Sequence, residues 1–206
     1  MHLEVLVEEA SAEKALGILL PKIVGPDVDF TIHVFQGKRD LLDKLPSRLR
    51  GYSHWIQGTR TKIVVLVDED RQDCLALKEK LEKAAAEAGL STKTAVGNGN
   101  PFLVLNRIAV EELEAWFIGD CDALRAAYPR ISPSLENTSR FRDPDAVRGG
   151  TWEQLDRVLQ QAGYHAGGMA KTRAAEEIAV HMDPYCNRSR SFKQFCTGLQ
   201  ALVQSI

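Results

Sequence analysis

Along the first half of the chain, apolar and polar positions switch repeatedly between two periods. Residues 3–7 (LEVLV) form a short apolar run, and Leu16, Leu19, Leu20 and Ile23 then recur at helical spacing, with Ser11 standing where an N-cap is expected. Residues 29–35 (DFTIHVF) alternate apolar and polar and are rich in β-branched residues. Gln36-Gly37 closes that run before a charged helical stretch from Arg39 to Arg50. In this stretch Leu41, Leu42, Leu45 and Leu49 make an apolar face suited to covering a sheet. Residues 62–67 (KIVVLV) are apolar without alternation after the lysine, which predicts a strand covered on both sides, as in a parallel sheet. A helix follows over 72–88, with Leu75, Leu77, Leu81, Ala84 and Ala88 on or near one face and Gly89 in the C′ place. A fourth strand is predicted at 92–96. The turn-rich GNGNP then leads to a fifth strand at 102–107 and a helix from Val110 to Ile118.

Strands alternating with helices predict an α/β fold with a mostly parallel, Rossmann-like sheet flanked by helices. The pattern changes near residue 120. Residues 119–150 are rich in Pro, Asp, Arg and Ser, and helices are expected at about 152–162, 170–181 and 190–204 with no further strand. The organisation expected is an α/β core over 1–120 and a mainly helical region over 121–206 packed on it. Trp55, Trp116 and Trp152 all lie in helical patterns, where core packing is the ordinary role of an indole.

Charge narrows the function only a little. The chain has 206 residues with 26 basic and 28 acidic side chains, and residues 1–100 carry 14 basic against 15 acidic. Neither half is a basic face able to grip nucleic acid by charge alone. The four cysteines (74, 121, 186 and 196) are too scattered for a zinc knuckle or a Cys-x-x-Cys pair, and free thiols are expected. No apolar run approaches a membrane span, and the N-terminus MHLEVLVEEA lacks a basic leader, so a cytoplasmic protein is expected.

Acidic residues concentrate where a parallel sheet collects its ligands, just beyond the strands' carboxyl ends. The first strand runs into Val7-Glu8-Glu9 and the third into Val67-Asp68-Glu69-Asp70. The helix after the fifth opens Val110-Glu111-Glu112-Leu113-Glu114. In an extended segment Asp68 and Asp70 project to the same side, and a neighbouring first strand brings Glu8 beside them. Three converging carboxylates repel one another unless a cation neutralises them, and oxygen-only ligands suit Mg²⁺, Mn²⁺ or Ca²⁺ rather than Zn²⁺. On a helix, Glu111 and Glu114 share a face and are the candidates for a second ion, with Glu112 pointing elsewhere. The ordinary alternative for each acid is to favour the N-terminus of the next helix. A phosphorylatable receiver domain is disfavoured because Asn106-Arg107-Ile108 offers no lysine after the fifth strand. A dinucleotide domain is disfavoured because Glu8-Glu9-Ala10-Ser11-Ala12 holds no glycine.

The order of a Glu after the first strand and Asp-x-Asp after the third resembles the Toprim superfamily of topoisomerases, primases and OLD-type nucleases. The segments LVEEASAEKALGILLPKIVG, HVFQGKRDLLDKLPSRLRGYS, VVLVDEDRQDC, IAVEELEAWFIGD, DPDAVRGGTWEQL and HMDPYCNRSRSF resemble more closely an uncharacterised bacterial domain family of the Toprim-like group, often encoded beside an ABC-type AAA ATPase. The resemblance implies that Glu8 is the Toprim glutamate and that Asp68 and Asp70 bind metal. It also implies further acids for a second ion, for which Glu111 and Glu114 stand in place. One departure is the residue after that glutamate, usually glycine in the superfamily and Glu9 here.

The function expected is a Mg²⁺- or Mn²⁺-dependent nuclease or phosphoesterase acting on DNA or RNA; the resemblance adds an ATPase partner and a role in defence against phage. Lys171, in the first turn after Gly167-Gly168, is the candidate for the positive group that phosphoryl transfer needs. Arg188, Arg190 and Lys193 form a second, short basic run. Two alternatives stay open: a catalytically silent Toprim-fold subunit that binds an ATPase or nucleic acid, and a small-molecule phosphate enzyme using the Gly167-Gly168 turn. A homodimer also stays open.

Overall fold

The computed structural model describes residues 1–97 and 99–205. Four strands, β1 (His2–Val7), β2 (Asp29–Val34), β3 (Thr61–Asp68) and β4 (Val104–Ala109), form one all-parallel sheet in the order β2-β1-β3-β4. The α/β fold class read from the alternating periods is the one observed. β3 is buried at every position, as its unbroken apolar run requires. Alternate side chains feed opposite layers: Val64 and Leu66 enter one apolar core, and Ile63, Val65 and Val67 the other.

The second of these cores is made with α2 (Lys38–Ser53) and α3 (Cys74–Glu87), through Leu41, Leu45, Leu49, Leu77 and Leu81. The first is larger and draws on both halves of the chain. α1 (Ala10–Val24) meets α8 (Lys171–Ala179), and α9 (Arg190–Gln204) lies against β4. Between them come α5 (Glu114–Gly119), α6 (Cys121–Ala127) and α7 (Thr151–Gln161). Trp116 anchors this layer, with ring centroids 5.0 Å from Phe192 and 4.9 Å from Phe195 and its indole N–H donating to Ser191. Residues 121–205 thus share one apolar core with β1 and α1.

Several local expectations need correction. Residues 92–96 are not a strand: Thr92 caps the short helix α4 (Lys93–Val96) by accepting from the Ala95 N–H, and it touches the sheet only through one bridge to Val104. Leu75 is 81% exposed, because α3 starts at its Asp73 cap and turns that position to solvent. α1 begins one residue before Ser11, at Ala10, with Glu9 at the N-cap, so Ser11 is buried and donates to the Glu9 carboxylate instead of capping. Trp55 is 47% exposed, since α2 has ended before it. The helix expected from Val110 starts at Glu114, and residues 110–113 are loop. Among the described residues no helix is long and apolar enough to cross a membrane.

Candidate active site

Parallel pairing places the ends of β1 and β3 side by side, Val7 opposite Leu66, and this register brings Glu8 beside Asp68. The Glu8 carboxylate accepts the backbone N–H of Asp68, and both side chains are buried. Burial pushes the Glu8 carboxyl up to about 7, although the Asp68 N–H and the Lys38 ammonium act against the rise. Asp68 is raised well above the ordinary aspartate value, first by burial and then by repulsion from Glu8, Glu114, Glu9 and Asp70.

Glu114 comes from α5 and is only 1% exposed. Burial pushes its carboxyl to about 7, Lys171 and a backbone hydrogen bond opposing the rise and Glu9 and Glu112 adding to it. Among the described residues its Oε2 has no hydrogen-bond partner, which is rare for a buried carboxylate oxygen. Its Oε1 is 3.8 Å from Lys171 Nζ, which is also 3.7 Å from Glu9 Oε1 and 5.0 Å from the centroid of the Trp152 ring. Burial works against the Lys171 charge, but Glu114, Glu9, Glu112 and Asp68 outweigh it and raise its pKa. The first turn of α8 thus supplies a cation facing the carboxylates from the second half. Glu9, the departure from a glycine, has φ −145° and ψ 163°, ordinary extended backbone that asks for no glycine.

Asp70 lies apart from Asp68. The strand ends at Asp68, and at Asp70 and Arg71 the backbone turns left-handed (φ 49° and 61°), so the two-residue alternation that would aim both carboxylates alike no longer applies. Its carboxylate pairs instead with Lys38 at 2.9 Å. Lys38, at the start of α2, also donates to the Glu69 carbonyl at 3.0 Å. Its place just past the carboxyl end of β2, in Gln36-Gly37-Lys38, was the signal that could have marked it.

Glu111 and Glu114 do not share a helix face. Glu111 sits in the loop with φ 59°, and its backbone N–H donates to the Glu69 carboxylate at 3.0 Å. Its pKa is raised by burial and then by Glu69, with Arg71 opposing. Glu112 is turned to α7, accepting from Thr151 Oγ1 at 2.7 Å and the Trp152 N–H at 2.8 Å. Arg188 is a strut, donating to the carbonyls of Ile118, Phe141 and Arg142.

The site therefore gathers Glu8, Asp68, Glu114, Glu9 and Lys171, with Asp70 and Lys38 at its margin. Among the described residues no three His, Cys, Asp or Glu side chains stand ready to enclose an ion. The donor set still fits a hard cation that keeps water, since Mg²⁺ is commonly held by one or two carboxylates and completed by water and phosphate. The orphaned Glu114 Oε2 supplies a donor oxygen without a competing partner. A family model described as "Domain of unknown function (DUF4276)" matches residues 7–200. No curated protein and no solved structure matches the chain.

Proposed function

The chain belongs to the DUF4276 family, and for this member we propose a Mg²⁺- or Mn²⁺-dependent Toprim-like phosphoesterase that cleaves nucleic acid, DNA or RNA, with an ABC-type AAA ATPase partner. The observation that carries the reading is the buried, mutually repelling set of Glu8, Asp68 and Glu114 at the carboxyl ends of parallel strands, with one carboxylate oxygen unpartnered. A structural core does not retain such a set for stability, because each charge raises the cost of the others. The Glu-then-Asp order supports the Toprim part. The ATPase partner and a role in defence against phage rest on resemblance.

A divalent ion at these residues supplies the charge neutralisation for an in-line displacement at phosphorus. Glu8 and Asp68 would hold it, with Glu114 behind them. Lys171 faces the same volume with an ammonium kept protonated by its acidic neighbours, suited to the non-bridging oxygens of a phosphate. Lys38 anchors the loop after β3 by its two contacts, limiting how far Asp70 can swing toward the site.

Titration calorimetry with Mn²⁺ tests the reading, followed by cleavage assays on labelled DNA and RNA. Binding in the micromolar range is expected, with a loss of at least about tenfold in Asp68→Asn and Glu8→Gln, equivalent to ~1.4 kcal/mol, and cleavage only with metal. Absence of Mn²⁺ binding, or affinity unaltered in both variants, overturns it. A silent scaffold is the second reading, favoured by Lys171 already lying between Glu9 and Glu114 as an internal counter-ion. It predicts no metal-dependent cleavage.

A further inference from the structure

The two edges of the sheet are finished very differently. In β4 the outward-facing backbone groups belong to even-numbered residues, because Ile63 and Glu69 take the carbonyls of Leu103 and Ala109 toward β3. Two of those outward groups are occupied: the Val104 N–H donates to the Ser91 carbonyl at 2.9 Å, and the Asn106 carbonyl accepts from Lys78 at 2.7 Å and Arg107 at 3.1 Å. In β2 the N–H groups of Asp29 and Phe35 point to β1, so those of Phe30, Ile32 and Val34 point outward. Among the described residues they meet no partner, and the strand carries no proline, lysine or bulge to protect it.

This open edge is flanked by a groove on each face. On the α2 side a cavity of about 870 Å³ is lined by His33, Lys44, Arg48, Tyr52 and Trp55. On the α1 side a smaller one, about 340 Å³, is lined by Gly17, Ile18, Phe30 and Ile32. A strand laid along β2 sends alternate side chains into the two grooves. It needs apolar residues toward α1 and polar or anionic residues toward α2, where Lys44 and Arg48 stand. β2 itself has that pattern. Leu6, which packs toward α2, is level with His33, so Asp29, Thr31 and His33 face α2 and Phe30, Ile32 and Val34 face α1.

We propose that the edge of β2 is a self-association surface, on which a second copy of this chain adds its own β2 antiparallel about a two-fold axis normal to the sheet, giving one continuous eight-stranded sheet. Such an axis keeps each face on its own side, and the isologous contact closes on itself. With the axis at Thr31, Phe30 of one copy lies opposite Ile32 of the other and the pair exchanges two backbone hydrogen bonds. Asp29 then lies opposite His33, whose Nε2 bonds the Glu4 carboxylate and whose Nδ1 accepts from Arg48 at 2.7 Å, so an acid meets the Arg48 guanidinium on both sides of the axis. Val34, 41% exposed, and Trp55 at the rim lose their solvent contact.

Sedimentation equilibrium of the full chain across the micromolar range tests this. The expected mass is twice the 22.9 kDa of one chain. Ile32→Pro removes an outward N–H that no internal ladder bond uses and should halve the mass. Asp29→Arg and Arg48→Asp, both exposed substitutions, should each give monomers, while an equimolar mixture of the two should recover dimers because each new charge meets its opposite. A wild-type chain monomeric throughout that range overturns the proposal. So does a dimer that survives Asp29→Arg, or a mixture that stays monomeric while each variant retains its wild-type circular dichroism.

Discussion

A half-buried acid, Glu82, and the buried group of Glu8, Asp68 and Glu114 solve the same problem in opposite ways. On α3, Glu82 is met by Lys78 at 2.8 Å, Asn106 at 3.0 Å, Thr94 at 3.2 Å and the Thr92 hydroxyl. Burial acts to raise its pKa, but these partners outweigh it and the net shift is downward. Glu8, Asp68 and Glu114 are buried with fewer partners, and each is raised. A charge that is fully hydrogen-bonded ties α3 and α4 to β4. A charge left short of partners holds its place only because the surrounding sheet and helices over-determine it, and it is available to a ligand.

The largest effect expected from this contrast is at Glu82. Glu82→Ala strips the counter-charge from half-buried Lys78 and an acceptor from Asn106 and Thr92, and should cost about 3 kcal/mol in urea unfolding. A cost below the error of the measurement would mean that pairing does not distinguish the two groups.

Glu114 should behave in the opposite sense. Its folded pKa near 7 lies above the ordinary 4.5, so between those values the folded chain binds more protons than the unfolded one. Stability therefore falls as pH rises through 7 and recovers as pH drops toward 4.5. In metal-free protein Glu114→Gln should gain on the order of 2 kcal/mol at pH 8 and little at pH 5, read from unfolding midpoints at both values. Saturating Mn²⁺ should erase the wild type's pH 8 deficit and stabilise the variant by less, since the variant has no such deficit and Glu8 and Asp68 still hold the ion. A Gln variant less stable than wild type at pH 8 would show that the Lys171 pairing outweighs the burial of the Glu114 charge.

Pattern and period were enough to find the four sheet strands and most helix centres, because burial on one or both faces is written in each run. Residues 92–96 misled because Thr92 and Thr94 mimic a β-branched alternation while their hydroxyls actually serve a helix cap and Glu82. The site was legible as far as backbone regularity extends. Glu8 and Asp68 fall at strand ends and meet as the parallel register dictates. Asp70 and Glu111 lie one step further on, in left-handed turns where neither the strand's nor the helix's period holds. Lys38 and Glu9 gained their importance from elements far apart in sequence, Lys38 through the loop after β3 and Glu9 through Lys171 on α8.

Glu112 sharpens the comparison at its smallest scale, because it lies in the same acidic run as Glu114 yet is satisfied. It accepts two hydrogen bonds at the first turn of α7, where a carboxylate answers both the free N–H groups and the helix dipole. Glu112→Ala should cost about 1 kcal/mol, the usual worth of a cap, and change Mn²⁺ affinity less than about threefold, or ~0.7 kcal/mol. α7 also carries Trp152 beneath Lys171, so loosening the cap should move the Lys171 ammonium relative to Glu114 without removing any candidate ligand. A tenfold loss of Mn²⁺ affinity in this variant would place Glu112 with Glu8, Asp68 and Glu114, and would make the position of α7 part of how the carboxylates take up their ion.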